Sequence, residues 1–253
     1  MIDLLSGLDF TAAEAGFAGA VLALAAFVRG YSGFGFSAVL VAGLTFLIEP
    51  VAAVPLAIVF EVVASVFQAP SIWREVRWRD FWVLLASAVV GNPIGVALLT
   101  RADGDVLRSV TFAVLLVLSL AMLVSHRGRL VSTPVLLFTV GIVAGVVNGA
   151  TALSGLVLVL AISFTTIAVA EMRATLIVYF FASNAVVIGL LAVDGSIAGS
   201  LWNRVTVGLP LLAVGIFVGS KVFRRSTPES LRRGTLGLLI AVSAVGLVRM
   251  LAL

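Results

Sequence analysis

One uncharged stretch constrains the fold of this chain more than any other feature, because its 41 residues, 130–170, include no charged side chain. As one α-helix this stretch would extend about 60 Å, although about 20 residues suffice to cross the roughly 30 Å hydrocarbon core of a bilayer. A second stretch, 15–48, has 34 residues and is interrupted only by Arg29. Each stretch must therefore fold back on itself as a hairpin inside a membrane.

The composition agrees with a membrane location. Hydrophobic residues make up 62% of the chain and charged residues only 11%, whereas soluble domains are about half apolar and a quarter charged. So few charges cannot cover a water-facing surface, which excludes a soluble enzyme and a nucleic-acid binder despite a net charge of +4. The absence of cysteine and the single histidine, His126, exclude disulfides, multi-histidine metal sites and haem. We predict no cofactor, no metal and no catalytic residues.

The hydrophobic segments predict an all-α polytopic membrane protein of eight long spans, or about ten segments. The first half, 1–125, is predicted to contain a hairpin at 12–48 and helices at 50–73, 81–100 and 106–125. The second half, 130–253, is predicted to contain a hairpin at 132–169 and helices at 172–193, 201–220 and 231–251. Glycine allows a chain to reverse cheaply, so the breaks are expected at 30–35 and 148–155. Either a full crossing pair or a re-entrant hairpin fits each long stretch.

The two halves resemble each other in sequence. At an offset of 124 residues, 91–95 aligns with 215–219, and each segment begins and ends with glycine. At an offset near 120, Gly30 aligns with Gly149. A hairpin leaves the chain on the side where it entered, and three spans then carry it to the opposite side. The second half therefore enters the membrane from the opposite side and is inverted. Inverted-repeat transporters bind substrate near the midplane, where broken helices of both halves meet.

The distribution of basic residues predicts the orientation. With both long stretches as hairpins and Arg29 left out, eleven Lys and Arg residues collect on one side and four on the other. The larger set is Arg74, Arg77, Arg79, Arg127, Arg129, Arg173, Lys221, Arg224, Arg225, Arg232 and Arg233, and the smaller is Arg101, Arg108, Arg204 and Arg249. Positive residues favour the cytoplasm, so we predict a multi-pass protein of the inner (plasma) membrane with both termini outside.

Five segments give the chain a resemblance to the sulfite exporter TauE/SafE family, also called TSUP. They are 30–35, 50–55, 73–78, 145–155 and 171–175. The resemblance covers nearly the whole chain and implies an inner-membrane carrier, often an exporter, of a small organic or sulfur-containing anion. The chain departs from the family pattern at Tyr31, Phe34 and Phe36, which interrupt a run that is commonly richer in glycine.

Two charged residues lie inside apolar stretches and are the sharpest candidates for a site. Arg29 lies at the first glycine-rich break, and a guanidinium offers a planar donor fork suited to sulfite, sulfonate or carboxylate oxygens. The alternative is that Arg29 snorkels to a lipid headgroup. Glu61 lies near the middle of its predicted helix and could pair with Arg29, take up a proton during transport, or serve only as a hydrogen-bonded structural group.

Uncharged residues near the two breaks complete the predicted substrate site. They could donate hydrogen bonds to an anion, assisted by the positive ends of half-helices, or simply join helices to one another. The predicted substrate-binding set is Arg29, Tyr31, Ser32, Gly33, Gly35, Asn148, Thr151, Ser154 and Asn184, with Glu61 for ion coupling. The expected partners are a small anion, protons as coupling ion and the lipid bilayer, with a homodimer left open.

Other functions remain open at this stage. A passive anion channel would also use polar groups at the midplane. Gly30, Tyr31, Ser32 and Gly33 match the GxSG motif of intramembrane serine proteases, but a serine nucleophile needs a nearby base. His126 is the single histidine and lies in a basic loop, so an intramembrane protease is the weaker alternative. A structural or assembly subunit is the third alternative function.

Overall fold

The chain forms a bundle of helices in the computed structural model, which describes residues 10–68, 72–124, 130–197, 199–223 and 228–251. These residues contain ten α-helices, seven of them long and apolar enough to cross a membrane. In chain order the helices are α1 (Ala12–Ser32), α2 (Phe36–Leu44), α3 (Pro50–Gln68), α4 (Trp78–Arg101), α5 (Gly104–Val124), α6 (Pro134–Thr151), α7 (Ser154–Ser163), α8 (Val169–Asp194), α9 (Ser200–Phe223) and α10 (Pro228–Leu251). The prediction of an all-α polytopic membrane protein is confirmed.

The helix predicted at 50–73 is shorter in the structure. It ends at Gln68, and a short 3-10 helix, Trp73–Glu75, precedes α4. Residues 69–71 between them lie outside the described part of the chain.

The first hairpin is broken by two glycines in left-handed conformation. Gly33 has a φ of +81° and ends α1, and Gly35 has a φ of +82° and precedes α2. Only glycine adopts this conformation without strain. The nine residues of α2 extend about 14 Å, less than half the hydrocarbon thickness, so the hairpin pairs α1, which is long enough to cross a membrane, with a much shorter returning helix.

The second hairpin is built in the same way. Helix α6 ends at Thr151 and is capped by Ala152, which has a φ of +58°, and α7 has ten residues, or about 15 Å. The backbone N–H of Leu130 donates to the Phe164 carbonyl oxygen at 3.0 Å, and Thr166 N–H donates to the Leu130 carbonyl oxygen at 3.2 Å. These bonds hold the two ends of the hairpin at the same face of the bundle.

Each half packs its fourth helix against the first helix of the other half. Helix α4 lies on α6, where a Cβ added at Gly149 would lie 2.5 Å from the carbonyl oxygen of Asn92. Helix α9 lies on α1, where a Cβ added at Gly30 would lie 2.3 Å from the carbonyl oxygen of Ile216. At both crossings the backbones approach so closely that only glycine fits.

The bundle has two faces, named here after one residue at each. The Glu49 face contains the α2–α3, α4–α5 and α8–α9 connections, and the Arg77 face contains the α3–α4 connection and the ends of the second hairpin. At the latter, Arg77 Nε donates to Asp80 Oδ2 at 2.6 Å and Nη1 lies 3.3 Å from Glu171 Oε2. The hydrogen bond to Asp80 raises the pKa of Arg77, which stays cationic and ties α4 to α8.

Candidate functional site

A chain of buried polar side chains joins the two hairpins at the centre of the bundle. We call it the central network. Its members are Arg29, Ser37, Glu61, Ser65, Gln68, Asn92, Asn148, Ser154, Ser183 and Asn184, and all are buried. Polar groups cut off from water cost free energy unless they are hydrogen-bonded, so the burial of these side chains depends on the hydrogen bonds among them.

Arg29 lies at one end of the central network and is completely buried. Its Nε donates to Gln68 Oε1 at 3.1 Å, and its Nη2 donates to Ser65 Oγ at 3.0 Å. Its Nη1 donates to the Gly33 carbonyl oxygen at 3.0 Å and to Glu61 Oε1 at 3.3 Å. A guanidinium fixed by four acceptors inside the bundle is not a snorkelling anchor.

Glu61 occupies the middle of the central network. Its Oε1 accepts from Arg29 Nη1, and its Oε2 accepts from Ser37 Oγ at 2.7 Å and from Asn184 Nδ2 at 3.1 Å. The three donors come from α1, α2 and α8, so both halves contribute. We call these three donor groups the Glu61 cradle. Their arrangement holds a carboxylate in a buried place built from one cation and two neutral donors.

The second half extends the network away from the charges. Asn148 Nδ2 donates to Asn184 Oδ1 at 2.9 Å, and Ser154 Oγ donates to Asn148 Oδ1 at 2.7 Å. Asn92 Nδ2 donates to Ser183 Oγ at 3.1 Å. The pair Asn148–Asn184 thus lies beside the charged pair Arg29–Glu61. Asn184 joins the two pairs, because it bonds to Asn148 and to Glu61.

Six members of the predicted site come together in this way: Arg29, Gly33, Glu61, Asn148, Ser154 and Asn184. Two predicted residues form no hydrogen bond with the network in the part of the chain that the structure describes. The ring of Tyr31 stacks on Phe27 with centroids 5.6 Å apart, and Thr151 Oγ1 donates to the Val147 carbonyl oxygen of its own helix at 2.8 Å. Gly35 is buried at the start of α2, and the side chain of Ser32 lies outside what the structure describes.

A cavity of about 490 Å³ opens at the Arg77 face and reaches the network. Gln68, Glu75, Arg173 and Ser220 are its polar lining residues. Because Gln68 also accepts a hydrogen bond from Arg29, one amide group separates the cavity from the buried guanidinium. This size is within the range of small-ligand sites.

The family follows from a comparison with known proteins. The family model described as sulfite exporter TauE/SafE matches residues 18–246. The chain belongs to this family. No curated protein and no solved structure matches the chain. TauE/SafE members transport sulfur anions across membranes, so the chain is a membrane transporter. The family match supports this function over the intramembrane protease. The candidate base of that protease, His126, lies outside the described residues.

Several network residues of this TauE/SafE protein were not predicted from its sequence. They are Ser37, Ser65, Gln68, Asn92 and Ser183. Glu61, Ser65 and Gln68 share one face of α3 because they are spaced by four and seven residues, and this spacing was the available signal. Phe180 was also missed, although the centroid of its ring lies 5.3 Å from the guanidinium carbon of Arg29. No sequence signal distinguishes Ser37 and Phe180 from the many similar residues in apolar helices.

Proposed function

We propose that this TauE/SafE protein is a secondary transporter that exports a small organic or sulfur-containing anion, such as sulfite, a sulfonate or a short carboxylate. It works by alternating access across the inner membrane, with both termini outside. One observation carries the proposal: the Glu61 cradle already holds an anionic group, the Glu61 carboxylate, in the interior of the bundle. The same three donors can hold two oxygens of a sulfite, sulfonate or carboxylate.

The charges suggest how transport is coupled. Arg29 and Glu61 neutralise each other in the structure, and an additional anion beside them would leave a net negative charge in a medium of low dielectric. If Glu61 takes up a proton and leaves the cradle, the anion replaces its carboxylate at Arg29 and neutrality is restored. We therefore propose one proton bound by Glu61 for each anion bound by the cradle.

The contacts between the halves support an inverted repeat as the basis of alternating access. The Gly149 contact with Asn92 corresponds to the Gly30 contact with Ile216, at offsets of 119 and 124 residues between partners. Further close contacts lie at the same two crossings, where a Cβ added at Gly95 or Gly219 would lie 2.2 Å from the carbonyl oxygen of Val146 or Phe27. Rotation of one half against the other about these crossings would expose the cradle to each face in turn.

Flux through purified protein in proteoliposomes tests the proposal. Sulfite, methanesulfonate and acetate are supplied in turn, with an imposed pH gradient and with the gradient collapsed by a protonophore. We expect a pH gradient to drive at least one anion against its own concentration gradient. Flux that only follows the anion gradient would instead support a passive channel, and no flux of any anion would support an assembly subunit.

A further inference from the structure

Arg173 lies between the cavity at the Arg77 face and the first helix break. Its side chain lines the cavity, and its Nε, Cγ and Cδ atoms would lie 2.8, 3.0 and 3.1 Å from a Cβ added at Gly33. The carbonyl oxygen of Gly33 accepts from Arg29 on the other side. The backbone of one glycine thus separates a cavity-lining arginine from the buried one.

Gln68 links the same two places. It lines the cavity, and its Oε1 accepts from Arg29 Nε at 3.1 Å. An anion that moves from the cavity to Arg29 must displace this amide oxygen, because a guanidinium N–H donates to one strong acceptor at a time in good geometry. The amide can rotate away without moving a helix, since it is at the end of a flexible side chain.

The charged groups at the cavity are of both signs. Arg173 supplies a positive charge and Glu75 a negative charge, and the two attract each other. Ser220 adds a hydroxyl that donates to the Gly30 carbonyl oxygen at 3.3 Å. Because Glu75 is exposed, its attraction to Arg173 is screened by water and salt, and a small anion can compete with it.

We propose that Arg173 and Gln68 form a second anion site, a vestibule at the Arg77 face, from which a small sulfonate, sulfite or carboxylate passes to the Glu61 cradle. Arg173 binds the anion in the cavity, and Gln68 keeps it from Arg29 until its amide moves aside. The vestibule deepens the proposed function and rests on it for the identity of the ligand, but its occupancy can be measured without transport.

Protection of an introduced thiol measures this occupancy. The chain has no cysteine, so Ser220→Cys places one thiol in the cavity, and its rate of modification by a maleimide is followed on purified full-length protein. The probe is methanesulfonate, which reacts with neither thiols nor maleimides, unlike sulfite. We expect methanesulfonate to slow the modification. Val131→Cys, at an exposed position of the same face, is the control and should show no protection.

Charge variants then assign the protection to Arg173. In the Ser220→Cys background, Arg173→Gln should raise the half-protecting methanesulfonate concentration about tenfold, as expected for loss of one charge-assisted hydrogen bond. With Arg173→Lys, the half-protecting concentration should return most of the way to that of the Ser220→Cys protein. With Glu75→Gln, this concentration should fall below that of the Ser220→Cys protein. Arg79→Gln, which removes an exposed charge at the same face outside the cavity, should leave it unchanged.

Arg29→Lys separates the vestibule from the cradle. It should weaken anion transport while protection of the thiol at 220 remains. Protection that is insensitive to both Arg173→Gln and Glu75→Gln, or that disappears with Arg29→Lys, would overturn the vestibule. Wild-type protein that shows protection but no coupled flux would contradict the proposed function and leave the vestibule standing.

Discussion

Glu61 Oε1 lies 3.3 Å from Arg29 Nη1, and both side chains are buried. A buried ion pair adds little net stability relative to apolar residues, because both charges lose their hydration. Removal of one partner is strongly destabilising, since it leaves the other charge uncompensated. The pair is therefore weak evidence for stability. In the proposed transport cycle, each charge compensates the other inside the bundle until an anion and a proton replace their contact.

Arg29→Lys should weaken anion binding at least tenfold, because an ammonium group keeps the charge but loses the planar fork that reaches four acceptors. The measurement is the anion-induced rise in unfolding temperature of purified protein, with sulfite and methanesulfonate as ligands. Arg101→Lys, at an exposed position at the end of α4, is the matched control. Wild-type affinity in a folded Arg29→Lys protein would place the anion site elsewhere.

Glu61→Gln should make anion binding independent of pH. In the wild type we expect affinity to fall as the pH rises, because Glu61 then loses its proton and its carboxylate competes for the cradle. Glutamine has a similar shape and no negative charge, so the variant should bind with the wild-type's low-pH affinity at every pH tested. Without anion it should be less stable by about 3–5 kcal/mol, because Arg29 is left without its counter-charge.

The pH profile of anion binding and of flux is the measurement for Glu61→Gln, with Glu49→Gln at an exposed position as the control. Added anion should recover part of the lost stability, since it supplies the missing negative charge. An unchanged pH profile in Glu61→Gln would show that Glu61 is a structural group and that protons are coupled elsewhere.

The two backbone crossings give a prediction that does not depend on the substrate. Gly30→Ala and Gly149→Ala each place a Cβ within 2.5 Å of a carbonyl oxygen of the other half, so each should destabilise the fold by about 1–3 kcal/mol or more. Gly189→Ala in α8 meets nothing within 4 Å and should be neutral or stabilising by up to about 1 kcal/mol. Denaturation in detergent compares the three. Similar stability for all of them would contradict the crossings.

Length and isolated charge were enough to predict the main features of the fold. A stretch of 41 uncharged residues is about twice as long as one membrane helix, so its length alone predicted a break, and its glycines placed that break near 148–155. Arg29 and Glu61 stand out because each is the one charge within its apolar segment, which is local information. The sequence could not decide between crossing and re-entrant hairpins, because the end of α2 depends on packing rather than on composition.

The partners within the site could not be predicted, because they depend on how helices are rotated against one another. Tyr31 is two residues from Arg29, which places it about 200° around α1, so the two cannot face the same neighbour. Thr151 bonds its own helix, as a helical threonine often does. From its charge, Arg173 was assigned only to the more positive side of the membrane, whereas in the structure it also lines the cavity beside the first break.

The orientation of the bundle can be tested with the cysteine-free chain. Val131 lies at the Arg77 face and is 75% exposed, and Ser196 lies at the Glu49 face between α8 and α9. Because the sequence assigns eleven of the fifteen cations other than Arg29 to this side, the positive-inside rule predicts that the Arg77 face lies in the cytoplasm. Val131→Cys should therefore react with a membrane-impermeant maleimide only in inside-out vesicles, and Ser196→Cys only in intact spheroplasts.

Permeabilised cells, in which both thiols should react, show that neither position is shielded by the protein itself. The unsubstituted chain should not react at all, since it has no cysteine. Labelling of both positions from the same side would contradict the arrangement of α6 to α8, in which one crossing helix separates them. Labelling of each from the side opposite to that expected would keep the fold but invert it, so that the cavity beside Arg173 would face the outside and the transporter would take up its anion through it.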